Sequence, residues 1–491
     1  MAVYLAKPRP AEDDNLRLAS QAGAHIVSGE EDTNLRMLRR IVAECDIFVD
    51  ALLGTGVSRP IEGRFRDILL LAGQQIAARK AHAPQFASSA GGMASVKSAP
   101  EPVTALSPWV VAVDLPSGLN ADTGALDSAA MPADLTVTFG LPKRGHFLFP
   151  GAGALGELLV ADIGIQDEWT QENHLALMTP EWASGVLPAR PLQAHKGTFG
   201  RALIVAGSVN YTGAAALTAA AAVRAGAGLV TLCAGPVVRS AVAGQVMEAT
   251  YLVLPEELGV LSEEGAPLVQ RELASSQALL IGPGLGQEHT TRRLVFALLG
   301  LETERRRHRI GFVGDDAPDT PESAHCPVVV DADGLNALAS LDGWHEKVIR
   351  PCILTPHPGE MARLMRCRTE EVQSDRWGIA LRAAQEWGQV VVLKGAHTVV
   401  APPEGRAMVC PFANPALATA GTGDVLAGII VGLLAQGVTP FEAAAVGVYV
   451  HALAGELAAQ QTGASGLAAS DLLGWIPAAA SVLRGEKIRG A

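Results

Sequence analysis

The chain has 491 residues, 49% hydrophobic and 18% charged, with 52 glycines; that is too long for one ordinary core and suits a globular α/β enzyme of two domains. A net charge of -12 leaves no basic surplus to displace counterions, which argues against nucleic-acid or anionic-membrane partners. Six cysteines without a C-x-x-C pair fit a reduced, cytoplasmic protein without a zinc site, and the longest apolar segment, 425–435, falls well short of a membrane span.

Residues 3–6 read as a buried strand with no lead-in, as if the chain began inside a domain, and 11–22 read as a helix. The strand at 45–53 ends in Gly54-Thr55-Gly56, the one at 109–114 in Leu115-Pro116-Ser117-Gly118, and 135–139 is followed by Pro142-Lys143-Arg144-Gly145. Between the first two lies 81–108, rich in Ala, Ser, Gly and Pro, which reads as an insertion outside any core. Apolar strands without clean alternation predict a parallel sheet covered on both faces, with ligands at the carboxyl ends of its strands. Asp50, the loop Gly54 to Pro60, Asp114 and Ser117 all fall at such ends and could share a pocket, although tight βα turns would read the same.

Residues 169–191 carry three prolines, Pro180, Pro188 and Pro191, and read as a connector, which leaves 1–168 and 192–491 as the two domains. In the second, strands at 201–206, 278–281, 327–330, 352–354 and 390–393 each end in glycine or polar residues; 229–233 is a further strand and 303–326 a charged surface insertion. A final glycine-rich turn, Gly421-Thr422-Gly423-Asp424, opens an apolar helix. Such a turn aims backbone N–H groups and a helix dipole at one point and makes an anion hole of Gly421, Thr422 and Gly423. A carboxylate at its rim repels the anion the turn attracts, unless Asp424 takes a proton from a hydroxyl during phosphoryl transfer; the alternative is a hinge with a capping Asp. Lys394 is either a phosphate clamp or a surface lysine closing a turn, and His357, between two prolines, either a substrate contact or a turn histidine. Asp331 and Asp333 alternate at a strand end, so one faces the pocket and the other caps a helix.

Gly207-Ser208, Tyr211-Thr212-Gly213-Ala214, Gly282-Pro283-Gly284-Leu285-Gly286, Asp331-Ala332-Asp333-Gly334-Leu335-Asn336, Thr355-Pro356-His357-Pro358-Gly359-Glu360, Lys394-Gly395 and Gly421-Thr422-Gly423-Asp424 occur in that order. Together they resemble the ADP/ATP-dependent NAD(P)H-hydrate dehydratases of the ribokinase-like fold. Val49-Asp50-Ala51-Leu52-Leu53-Gly54-Thr55-Gly56, Asp114-Leu115-Pro116-Ser117-Gly118 and Lys143-Arg144-Gly145 resemble NAD(P)H-hydrate epimerase domains, which are fused to dehydratases in many bacterial repair enzymes. The resemblance implies an incomplete Rossmann-like sheet followed by a ribokinase-like α/β sandwich.

For activity, the resemblance implies phosphorylation of the hydroxyl of hydrated NADH or NADPH, with Asp424 as base, followed by phosphate loss. Gly213, Gly286, His357 and Asp424 would contact the hydrate; Lys394, Gly395, Ala396, His397, Thr398 and Gly423 would contact ADP, or ATP, carried with Mg2+. In the epimerase half, Gly54, Thr55, Gly56, Val57, Ser58, Arg59, Pro60 and Asp114 would bind substrate, and Asp50 and Ser117 a potassium ion. That family's Asn-Asn-Gly-Gly-Asp-Gly type of loop, and the first strand before it, are not found here, so epimerase activity is expected to be impaired. The resemblance also implies a homo-oligomer. Other readings are a vitamin-precursor kinase of the same fold and a non-catalytic nucleotide-binding scaffold.

Overall fold

The computed structural model describes residues 1–10, 12–82, 108–165, 174–301 and 326–486, so the two expected insertions lie almost wholly outside the described residues. The chain divides into two compact units, Met1–Glu172 and Asn173–Ala491. No helix among the described residues is long and apolar enough to cross a membrane.

In the first unit β1 (Ala2–Leu5) pairs in parallel with β2 (His25–Ser28), joined by the helix Asp14–Gln21. A separate parallel sheet runs in the order β3 (Ile47–Asp50), β4 (Trp109–Val113), β5 (Leu135–Phe139) and β6 (Glu157–Ala161). Leu38 and Val42 from one helix, and Ile68, Ala72 and Ile76 from another, pack with Val110 and Ala112 of β4. Two expectations are corrected here. No residue of β1 is buried, and among the described residues one face of the second sheet is left largely uncovered. Ile47 pairs with Trp109 and Val49 with Val111, and on that face Ile47, Val49 and Trp109 are 63%, 55% and 54% exposed. An apolar strand signals burial only where another element supplies the cover, and the described helices with buried residues supply it on the Val110 side.

The second unit holds a ten-stranded sheet. Its strands are β7 (Leu175–Leu177), β8 (Arg201–Val205), β9 (Leu229–Ala234), β10 (Thr250–Val253), β13 (Ala278–Ile281), β14 (Val328–Val330), β15 (Cys352–Leu354), β16 (Val390–Leu393), β17 (Val399–Ala401) and β18 (Ala407–Val409). A small hairpin, β11 (Glu256–Glu257) and β12 (Val260–Leu261), stands apart. The order is β10-β9-β8-β13-β14-β15-β16-β17-β18-β7, parallel from β10 to β16 and antiparallel on both sides of β17. Strands β13 to β16 are buried at every residue, which is why they read as unbroken apolar runs.

The connector expected at 169–191 is also corrected, because β7 joins the second sheet beside β18 and the helix Pro180–Val186 follows it. Pro180 starts that helix rather than marking a linker: its missing N–H costs nothing in the first turn, and Thr179 caps the end by accepting from the Trp182 amide at 3.2 Å.

One large core joins the sheet to the helices Thr212–Arg224, Thr422–Ala435, Pro440–Thr462 and Ala469–Leu483. The first two cross closely because Gly428 and Gly432 leave room; a Cβ on Gly428 would lie 2.7 Å from that of Ala221 and strike the Thr218 carbonyl. Gly428→Ala is therefore expected to destabilise the protein by about 1–3 kcal/mol despite the better helix propensity of alanine. The check is a lower urea midpoint at unchanged slope.

Candidate active site

Parallel strands bring their carboxyl ends to one edge of the second sheet. Asp331 follows β14 there and Lys394 follows β16, one strand apart. The Lys394 ammonium donates to Asp331 Oδ1 at 2.6 Å and lies 3.8 Å from Glu360 Oε2. Burial works against its charge, but Asp331 and then Glu360 outweigh it and raise the lysine's pKa. The surface-lysine reading is thus corrected: Lys394 is a mostly buried cation held between carboxylates. Lys394→Met is expected to cost about 3–5 kcal/mol, because it leaves Asp331 buried and unpaired. Adding Asp331→Asn should recover part of the loss in a denaturation midpoint.

His357 and Glu360 arise from one local device. The Glu360 carboxylate accepts from the His357 amide at 2.8 Å, and His357 Nδ1 accepts from the Gly359 amide at 3.0 Å, closing a capping box at the start of the helix Pro358–Met365. The ring remains 52% exposed, so capping and ligand contact are compatible at this position. Burial, then Lys394 and Arg363, lower its pKa and favour the neutral ring.

The strand alternation expected for Asp331 and Asp333 is interrupted. Ala332 has φ +48°, the strand stops at Val330, and Asp333 begins a helix with its carboxylate holding the Gly286 amide at 2.9 Å. Gly286 itself has φ +89°, and a Cβ there would strike Glu288. The loops after β8 and β13 meet beside it, through Gly207 N to the Pro283 carbonyl at 2.8 Å and Ser208 Oγ to the Gly284 carbonyl at 2.8 Å. Gly213, at the start of the next helix, faces open space where a side chain would stand.

The turn after these loops has Gly421 at φ +92° and the helix Thr422–Ala435 beyond it. The Thr422 amide is turned to the Thr419 carbonyl at 3.4 Å, whereas those of Gly423 and Asp424 find no backbone acceptor among the described residues. Of the expected hole of Gly421, Thr422 and Gly423, only the Thr422 amide is turned aside in this way; the Gly421 amide, like those of Gly423 and Asp424, has no backbone acceptor among the described residues. Lys394 Nζ lies 3.5 Å from where a Cβ of Gly423 would stand, so the ammonium and the hole are neighbours. Burial, followed by the charge of Asp331, pushes the Asp424 carboxyl up to about 7, with Lys394 opposing and Asp333 and Glu360 adding to the rise.

In the expected nucleotide loop, Gly395 and Ala396 are exposed, but the His397 side chain is not presented. His397 has φ +52° and is 7% exposed, with Nδ1 3.2 Å from the Cys410 carbonyl and its amide donating to the Phe412 carbonyl at 3.0 Å, so its side chain is turned inward. Thr398 Oγ1 donates to the Gly395 carbonyl at 2.8 Å. Arg376, which the sequence reading passed over, donates to the Leu393 and Lys394 carbonyls at 3.1 and 3.2 Å and fixes the loop's start.

The first unit assembles its own cluster at the ends of β3 and β4. Asp50 is buried and accepts from Ser117 Oγ at 2.6 Å and Ser117 N at 2.8 Å, while Ser117 Oγ accepts from the Leu53 amide at 2.9 Å. Burial raises the Asp50 pKa against these bonds. The loop from Gly54 to Pro60 is mostly exposed and tied to the same edge by Asn120, which donates to the Val57 carbonyl at 3.1 Å. Asp114, at φ +69°, accepts from Thr138 Oγ1 at 3.0 Å and the Phe139 amide at 3.1 Å, and pairs with Lys143. Among the described residues no three His, Cys, Asp or Glu side chains converge as a metal cage.

Comparison with known proteins adds an independent line. A family described as NAD(P)H-hydrate dehydratase matches residues 202–478, and one described as YjeF-related protein N-terminus matches residues 3–145. The bifunctional NAD(P)H-hydrate repair enzyme Nnr of Moorella thermoacetica is 39% identical over 484 residues, covering 96% of this chain and 80% of that protein. The enzyme of the same description from Thermofilum pendens is 36% identical over 440 residues, covering 89% and 74% respectively. Among solved structures, the ADP/ATP-dependent NAD(P)H-hydrate dehydratase of Bacillus subtilis, co-crystallised with ATP and Mg2+, is 32% identical with a TM-score of 0.51, covering 63% of this chain and 98% of that one.

Proposed function

The chain belongs to the family of bifunctional NAD(P)H-hydrate repair enzymes, and from that premise we propose that its second unit dehydrates hydrated NADH or NADPH at the expense of ADP or ATP. The observation that carries this reading is Asp424, a carboxyl raised to about 7 beside the Lys394 ammonium and amides without a backbone acceptor among the described residues. A base with that pKa is half ionised at neutral pH and well matched to a hydroxyl proton.

The hydroxyl of the hydrated ring gives its proton to Asp424 as its oxygen attacks the donor's terminal phosphorus, and the shortened nucleotide leaves. The Gly423 and Asp424 amides face the charge that develops on the phosphoryl oxygens. The ring nitrogen lone pair then expels phosphate, and loss of a proton from the adjacent carbon restores the double bond. The residues Gly213, Gly286 and His357 line the hydrate side of this proposal, and Lys394 to Thr398 with Gly423 the nucleotide side. Mg2+ suits the arrangement as a phosphate-borne ion, since it commonly takes only one or two carboxylates and neutralises phosphate charge. Asp331 and Glu360 supply hard oxygens at that edge.

In the same proposal Asp114 and the Gly54 to Pro60 loop hold the hydrate in the first unit, with the impaired interconversion of its epimers expected above. The oxygens of Asp50 and Ser117 suit a potassium ion by chemistry, and those two residues would form one side of its site. A homo-oligomer working in the cytoplasm completes the reading.

The decisive measurement is recovery of reduced-nicotinamide absorbance from the hydrate, with ADP and ATP in parallel. Phosphorylation without recovered absorbance would favour the precursor-kinase alternative. The pH profile carries a further expectation. Asp424 must be ionised to act, so kcat/KM should fall as pH drops below about 7 and level off above it. Asp331→Asn removes the largest neighbouring charge that raises this pKa and should move the acid limb to lower pH.

A further inference from the structure

We propose that His451 is a positioning residue of the phosphoryl-transfer site, holding the Thr422–Gly423 peptide so that the Gly423 N–H faces the group in flight. The inference rests on the reading of the Gly421–Asp424 turn as the anion hole. His451 lies in the middle of the helix Pro440–Thr462, which packs against the helix that the turn opens. Its Nε2 is 3.0 Å from the Thr422 carbonyl oxygen. A carbonyl only accepts, so Nε2 carries the proton. Burial pushes the ring's pKa down to about 4, the Thr422 bond opposing this and the Lys394 charge assisting it, so the ring is a neutral donor throughout the working range.

The geometry of the peptide group does the rest. A trans peptide is planar, and its C=O and N–H point in opposite directions. Fixing the Thr422 oxygen therefore fixes the Gly423 hydrogen on the far side, where it has no backbone acceptor among the described residues. Thr422 is held from below as well, because its Oγ1 lies 2.9 Å from both the Leu417 and Thr419 carbonyls and shares its one proton between them. A hydrogen bond received by the oxygen also polarises the peptide and makes its N–H a better donor. Among the described residues no other side chain is bonded to that carbonyl, which opens the helix Thr422–Ala435, so His451 adds to the hold of the helix's first turn on this peptide.

An ordinary core histidine would tie the two helices together and affect stability alone. The two roles separate in kinetics. His451→Leu is expected to lower kcat about tenfold, a fraction of what losing a whole oxyanion donor costs, while KM for ADP changes far less. His451→Gln, which keeps an N–H donor at similar reach, should restore most of kcat. The proposal is overturned if His451→Leu melts lower but keeps kcat within about twofold, or if Gln is no better than Leu at matched stability. Should the Leu variant not fold, His451→Asn, which keeps polarity but is too short to reach the carbonyl, replaces it; a wild-type kcat there overturns the proposal equally. Failure of the underlying reading shows elsewhere, as turnover retained by Asp424→Asn.

Discussion

Asp424→Asn is expected to lower kcat by about 10²–10⁴-fold, the usual contribution of a general base, while ADP affinity stays nearly unchanged. Asparagine has the same shape and keeps its backbone N–H in the helix's first turn, so the hole survives and only the proton acceptor is lost. The same substitution should leave the protein as stable or more so. Burial and the charges of Asp331, Asp333 and Glu360 all disfavour the ionised carboxylate, and removing it removes that conflict. The expected signature is a slow enzyme with an unchanged or raised Tm and normal ADP binding by calorimetry. Turnover within tenfold of the parent enzyme would place the base elsewhere.

That combination of lost rate and retained stability marks the part of the site that could be read from the sequence. A carboxylate next to an anion-attracting turn conflicts with its surroundings, and a conflict of residue types is visible without coordinates. The carboxyl ends of β8, β13, β14, β15 and β16 were legible for a related reason: each is a short apolar run, led by Arg201 in β8, that is followed by glycine or a polar residue. What escaped was long-range or brief. Lys394 is 63 residues from Asp331, so nothing local announces that the lysine is a buried ion-pair partner rather than a turn lysine. The Thr422–His451 bond spans 29 residues and joins two helices that each read as plain apolar segments. Strands β7, β17 and β18 have three residues each, and β7 fell in the stretch taken as a connector for the prolines that follow it. In the first unit the apolar strands were read correctly as strands, but their composition could not say which face a helix covers.

Gly421→Val is the second large effect expected, with kcat reduced on the order of 10²–10³-fold, comparable to removing an oxyanion-hole donor. Gly421 sits at φ +92°, a conformation costly for any side chain and most for a β-branched one. Even a Cβ would stand 2.7 Å from Leu217 Cδ1, which can turn aside, and 3.1 Å from the Ala469 Cβ, so the positive φ together with the Ala469 contact is what shifts the turn. Movement there displaces the start of the helix that carries the Gly423 and Asp424 amides, and misplacement on the order of 1 Å is enough to cost about 10²-fold. Gly423→Ala is the informative companion. Gly423 is already helical, and its Cβ would meet only Lys394 Nζ at 3.5 Å, an ordinary contact, so folding should be unharmed. If both variants lose rate but only Gly421→Val loses stability, then turn geometry and close approach to the phosphoryl group act as separate requirements. A Gly421→Val enzyme whose kcat stays within tenfold of the parent would show that the chemistry does not depend on this turn, whatever becomes of Asp424.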